Sequence, residues 1–205
     1  MEHYLQLAQQ NQAKAHEIIS TLNIIEAWNS IGAEINLIGS LKIGLLMKHL
    51  DIDFHVYTKV VDISQSFYAI SLIAQHPGVQ SVQYSNLLNE EDECLEWHIT
   101  YIDDNHAKWQ IDIMHIVKGS KYDGYFERVG DGITKRLTEV SRNTILKLKW
   151  ETPDDEKIMG VEYYHAVLDG GVKTMNEFQE YRLAHPVNGI LEWQPLSKNR
   201  FTKPE

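Results

Sequence analysis

The chain has one cysteine, Cys94, so no internal disulfide can staple it and its stability has to come from an apolar core. A lone thiol is compatible with a reducing compartment. Positive charge is also in short supply. Nineteen Lys and Arg stand against 29 Asp and Glu, for a formal net charge of −10. That balance argues against nonspecific binding along a nucleic-acid backbone, which needs a positive surface, but it leaves room for a local basic pocket around a nucleotide. Long apolar runs are missing. Lys, His, Asp or Glu interrupts every one, so none is long enough to span a bilayer. The first residues, Met1-Glu2-His3-Tyr4-Leu5-Gln6, lack the basic-then-apolar order of a signal peptide. There is no internal repeat and no low-complexity tract. The expectation is a soluble, cytoplasmic protein with no membrane partner.

What the chain does have is 43% hydrophobic residues over 205 positions, enough for one domain or a small domain with an appendage. Residues 2 to about 30 follow helical spacing through Leu5, Ala8, Ala15, Ile18, Leu22, Ile25 and Trp28. A short strand over 34–38 ends at Gly39. A helix is expected over 41–49, then a β-branched and aromatic strand over 52–61. Ser64 is placed to cap a helix running to about 75, stopped near His76-Pro77-Gly78. A weaker strand covers 78–88. The acidic run Glu90-Glu91-Asp92-Glu93 reads as a solvated turn. Two strong strands, 94–102 and 108–117, flank the turn residues Asp103-Asp104-Asn105-His106. From Tyr122 the spacing turns helical, with one long helix to Trp150 and two more over 155–168 and 174–185. The tail after Pro186 reads as irregular, carrying Trp193, Pro195 and Pro204. The order implies an α+β core at 1–118, a mixed sheet flanked by helices, followed by a helical region at 119–205.

The chemistry concentrates between Leu37 and Phe54. A strand end runs into Gly39-Ser40, then a short helix, then Asp51-Ile52-Asp53 on the next strand. Period-2 geometry puts Asp51 and Asp53 on one face. Two like charges there are costly unless a cation lies between them. Carboxylate oxygens suit a hard divalent ion, with magnesium the natural choice beside phosphates. Glycine lets the backbone approach an anion closely, and N–H groups at a helix start point toward it. A third carboxylate, Asp112, sits alone in the apolar strand Trp109-Gln110-Ile111-Asp112-Ile113-Met114. Its neighbours Ile111 and Ile113 would face the core, which leaves Asp112 on the opposite face with Gln110 and Met114.

The pattern Ile38-Gly39-Ser40, ten residues, then Asp51-Ile52-Asp53-Phe54 resembles the signature of the nucleotidyltransferase superfamily, the fold shared by DNA polymerase beta and the antibiotic nucleotidyltransferases. Asp112 matches the family's third Asp in kind and order. The segment from Gly39-Ser40 to Asp51 is also similar to the GrpB-like branch. Two departures stand out. Leu50 occupies the place where members often carry an acidic residue, and the basic residues after the Gly-Ser turn are Lys42 and Lys48 where many small members have arginine.

The resemblance implies a magnesium- or manganese-dependent, ATP-binding or other nucleoside-triphosphate-using enzyme. Asp51, Asp53 and Asp112 would be its catalytic and metal residues. Gly39 and Ser40 would hold the phosphates, with Lys42 and Lys48 as candidate phosphate contacts. The reaction implied is transfer of a nucleoside monophosphate to a hydroxyl, releasing pyrophosphate. The net acidity favours a small-molecule or protein acceptor over a polynucleotide. A noncatalytic nucleotide-binding module and a metal-dependent phosphohydrolase are the rival readings. His98, His115, Trp97, Trp109 and the Tyr163-Tyr164-His165 cluster are read as structural groups.

Overall fold

The computed structural model describes residues 2–187 and Trp193. The tail assignments from 188 on, Trp193 aside, lie outside the described residues. Five strands form one mixed sheet in the order β1-β2-β5-β4-β3. They are β1 (Glu34–Ile38), β2 (Asp51–Thr58), β3 (Val79–Leu87), β4 (Cys94–Ile102) and β5 (Lys108–Val117). Strands β2 and β5 run parallel, and every other neighbouring pair is antiparallel. The helices are α1 (His3–Thr21), α2 (Ile24–Asn29), α3 (Gly39–Lys42), α4 (Ile63–Ala74), α5 (Tyr125–Arg136), α6 (Glu139–Glu151), α7 (Gly160–Leu168) and α8 (Met175–Ala184). The expected α+β architecture is what the chain adopts. No described helix is long and apolar enough to cross a membrane.

Alternation builds the first core. Ile52, Phe54 and Val56 of β2, Ile111 and Ile113 of β5, and Trp97 and Ile99 of β4 all point to one face of the sheet. There they pack on Ile18, Trp28, Ala69 and Ile73 of α1, α2 and α4. The reading of Trp97 and Trp109 as packing groups holds. Both are buried, and their indole N–H groups donate to Ser66 Oγ and Asp103 Oδ2, each at 3.0 Å. A second apolar cluster joins Ile133, Ile145, Leu146, Leu148, Tyr163, Val167 and Phe178 of the C-terminal helices. Ala8, from the N-terminal half of α1, belongs to this second cluster, so α1 spans both.

Several boundaries differ from expectation, each for a local reason. The first helix breaks at Asn23, which is left-handed at φ 48°, and α2 restarts beyond it. The helix expected over 41–49 is one turn only, because Gly44 adopts φ +71°. The cap of α4 is Asp62, not Ser64; its carboxylate accepts from the Gln65 N–H at 3.0 Å. The long helix to Trp150 is two helices. Leu137 leaves helical geometry at ψ 129°, and Thr138 with Ser141 forms a capping box that starts α6. The apolar spacing runs across this break, so periodicity alone could not show it. The helix expected from 155 begins only at Gly160.

Candidate active site

Strand β1 hands the chain directly to the site. Ile38 lies opposite Asp53 in the antiparallel β1–β2 register. Gly39 then turns the backbone at φ +67°, a region that favours glycine, and opens the single turn α3. The Asp53 carboxylate rests on this glycine. A Cβ at Gly39 would sit 2.0 Å from Asp53 Oδ2 and 2.8 Å from its Cγ. No side chain other than hydrogen fits between the turn and the acid.

The parallel β2–β5 register places Asp53 opposite Asp112 and Asp51 opposite Gln110. Neighbouring strands lie about 4.8 Å apart, so the three carboxylates share one patch on the face turned away from the first core. Asp112 is held firmly. His98 Nδ1 hydrogen-bonds its Oδ1 at 2.7 Å, and the Gln110 amide donates to Oδ1 and Oδ2 at 3.0 and 2.9 Å. Glu96 Oε2 lies 3.8 Å from the other nitrogen of His98. His115, by contrast, is buried on the opposite face, hydrogen-bonded to Ser66 Oγ and Thr58 Oγ1, and has a structural role.

The charges on the patch oppose one another. Burial, then the neighbouring Asp51 and Asp112, push the Asp53 pKa up to about 7, while Lys149 pulls the other way. Asp51 is raised by burial and by Asp112, with His49, Lys149 and Lys157 countering. Lys149, from α6, is the cation that sequence reading did not find. Its ammonium donates to the Leu45 carbonyl at 2.9 Å and to the Tyr164 hydroxyl at 3.1 Å. Burial lowers its pKa to about 8 against the upward pull of Asp51 and Asp53. Tyr164 senses the same acids: burial and then the charge of Asp53 raise its phenol. Nothing in the motif points to a lysine on a helix some hundred residues further along the chain. Only the fold brings it back.

Of the other expected residues, Ser40 is half-buried in α3, where its carbonyl accepts from the Leu45 N–H at 2.8 Å. Lys42 is exposed at the end of α3. Lys48 donates to the Thr152 carbonyl at 2.6 Å and pairs with Asp154 at 2.6 Å, so it ties the loop before β2 to the end of α6. A pocket of about 240 Å³ opens beside Asp51, lined by Lys48, His49, Leu50, Asp51, Lys108 and Gln110. At the end of α5, Arg136 is bound to Asp169 and the Leu168 carbonyl. Tyr163 is a packing residue, stacked on Phe178 at 4.6 Å.

Among the described residues, no group of three or more His, Cys, Asp or Glu side chains is gathered tightly enough to enclose a metal ion. The donor set still fits a divalent cation in kind. It offers hard carboxylate oxygens on one face, and their mutual repulsion, visible in the raised Asp51 and Asp53, is what a cation would relieve.

No protein-family model matches the chain, and no curated protein matches it. Solved structures do. The Cid1 poly(U) polymerase with bound MgGTP aligns at TM-score 0.54 and 16% identity, over 82% of this chain and 55% of that one. A structure of Cid1 as an RNA terminal uridylyl transferase aligns at 0.52 and 18%, over 78% and 47%. A cytoplasmic RNA terminal U-transferase aligns at 0.50 and 15%, over 82% and 51%. The fold is therefore the nucleotidyltransferase fold. The chain spans about half the length of these matched structures.

Proposed function

We propose that the protein is a metal-dependent nucleotidyltransferase, moving a nucleoside monophosphate from a triphosphate to an acceptor hydroxyl with release of pyrophosphate. The observation that carries this reading is the Asp53 carboxylate seated on Gly39 with Asp112 beside it in register. It puts the anion-approach turn and the carboxylates in contact, which is what phosphoryl chemistry needs.

Asp51 and Asp53 would hold magnesium or manganese, with Asp112 completing the set. The bound cation would neutralise phosphate oxygens as charge develops on them. The Gly39 turn and Ser40 cradle the phosphates through backbone N–H groups and the hydroxyl. Lys149, from α6, interacts with the charges of Asp51 and Asp53 and supplies positive charge to the patch. Asp112, oriented by His98 and Gln110, aligns the acceptor hydroxyl and takes its proton. Lys42 and Lys48 remain candidate phosphate contacts, with Lys48 having to release Asp154 to serve. On a division into a core at 1–118 and a helical region at 119–205, the carboxylates would belong to the first part and Lys149 to the second.

The matched structures are described as RNA uridylyl transferases and a poly(U) polymerase, so an RNA 3′ end belongs in any acceptor screen. The net charge of −10 favours a small-molecule or protein hydroxyl for this chain. Incubation with magnesium, each triphosphate, and acceptors from RNA oligonucleotides to small polyols and proteins tests the reading by pyrophosphate release. Labelled acceptor with stoichiometric pyrophosphate supports it. Orthophosphate without labelled product would mark a phosphohydrolase. Triphosphate binding without turnover would mark a binding module.

A further inference from the structure

The two edges of the sheet are treated differently. At the β1 edge, α5 reaches across, with Asn36 Nδ2 donating to Glu127 at 3.4 Å, and Lys118, just past β5, pairs with Glu34 at 2.7 Å. Strand β3 is the other edge, with β4 as its single strand neighbour among the described residues. Edge strands carry a row of unpaired N–H and C=O groups, and soluble proteins usually blunt them with Lys, Pro or inward charge. Strand β3 has none of these. Its nine residues, Val-Gln-Ser-Val-Gln-Tyr-Ser-Asn-Leu, contain no ionised side chain and no proline. One register shift lies between Val79 and Ser81, and regular pairing continues from Ser81 to Leu87.

The lack of charge extends beyond the strand. From Ile63 to Asn89 there is not one Asp, Glu, Lys or Arg, in a chain that is 23% charged. This stretch is α4 together with β3. Its outer surface is apolar as well. Ile63, Phe67, Tyr68 and Leu72 of α4 and Tyr84 of β3 are all more than a third exposed. Phe67 packs on Tyr84 and Trp97 with ring centroids 4.8 and 4.7 Å apart, which joins the helix and strand into one surface.

We propose that this α4–β3 face is the contact between two copies of the chain, with β3 pairing antiparallel to its own copy across a two-fold axis. Three features select a second copy over another partner. An antiparallel strand pair about a two-fold is self-complementary, so each edge supplies the donors and acceptors the other lacks. Two chains of charge −10 repel wherever their acidic surfaces meet, and a 27-residue stretch without Asp or Glu is where they approach with the least repulsion. A basic partner would gain its attraction from the acidic surface elsewhere and nothing from this face. Pairing would extend the sheet continuously to ten strands and bring the Phe67–Tyr84 pairs of both copies toward the same seam.

Sedimentation velocity of the full chain over a concentration series tests this. The expected result is a species of twice the 23.7 kDa chain mass that dissociates on dilution. Ser81→Lys and Gln83→Lys, two separate variants on the strand, place charge at the seam without touching a buried residue. Each variant, shown to be folded by circular dichroism, is expected to raise the dissociation constant at least tenfold. Amide exchange on β3 should slow with concentration in the parent and not in the variants. A parent that stays monomeric at hundreds of micromolar, or a dimer indifferent to both lysines, would overturn the proposal.

Discussion

Gly39→Ala is the sharpest perturbation of the site, because the structure separates its two costs. The first is backbone strain. Gly39 sits at φ +67°, where an L side chain costs about 1–2 kcal/mol. The second is steric. The new Cβ would lie 2.0 Å from Asp53 Oδ2, more than about 1 Å inside ordinary contact, so the carboxylate has to move by that much. With Asp53 in the proposed metal-holding role, a displacement of its oxygen by about 1 Å is expected to cost on the order of 100-fold in turnover. Gly32→Ala is the matched control. Gly32 has nearly the same conformation, φ +74°, and nothing within 4 Å of its would-be Cβ. Urea denaturation should therefore show a loss of about 1–2 kcal/mol for Gly32→Ala, from strain alone, and a larger loss for Gly39→Ala, which adds the clash. Calorimetric titration with magnesium and a nonhydrolysable triphosphate, and pyrophosphate release with a working acceptor, should separate them: Gly39→Ala is impaired and Gly32→Ala is not. Equal binding and turnover in the two variants would refute the claim that the Gly39 turn and Asp53 form one site.

Asp53→Asn should stabilise the metal-free protein at pH 8. The folded-state pKa of Asp53 is raised from 3.8 to about 7, so this group's contribution is fully present below about pH 4 and is lost as pH rises through 7. The asparagine removes that loss, a gain on the order of 1–3 kcal/mol at pH 8 that vanishes near pH 4, read by urea melts across that range. Lys149→Ala leaves the Leu45 carbonyl and Tyr164 hydroxyl without their donor and the acids without their fixed counter-charge, and triphosphate affinity should fall about tenfold or more by calorimetry. His98→Ala removes the 2.7 Å partner of Asp112, so turnover should drop about 10- to 100-fold while triphosphate binding stays near the parent value; a fall in binding alone would contradict the assigned role. Thr138→Ala deletes the cap that starts α6 and should cost about 1 kcal/mol in thermal or urea melts.

The shared face of the three carboxylates was legible because these residues lie close in sequence or carry a strand period. The alternation through Ile52, Phe54 and Val56 puts Asp51 and Asp53 on one face from the sequence alone, and the same period turns Asp112 away from Ile111 and Ile113. Strands β4 and β5 fall where alternation placed them, bounded by a turn that Asp103 closes with bonds from the Asn105 and Ala107 N–H groups, both at 2.9 Å. What was illegible depended on backbone conformation or distant contact. The apolar residues Ile133, Leu137 and Val140 keep helical spacing straight across the α5–α6 break, which only the Thr138–Ser141 capping box reveals. Gly44 at φ +71° cuts α3 to one turn, although the residues after it read as helical. Lys149 is surrounded in sequence by ordinary helix residues, and its place beside Asp51 and Asp53 exists only once α6 is docked.

The most direct test of the central claim is calorimetric titration of a nonhydrolysable nucleoside triphosphate into the intact protein and its Asp53→Asn variant, each with and without magnesium. Binding should require magnesium in the parent and weaken at least tenfold with the substitution. Equal affinity with and without the cation, or an affinity that Asp53→Asn leaves unchanged, would contradict it.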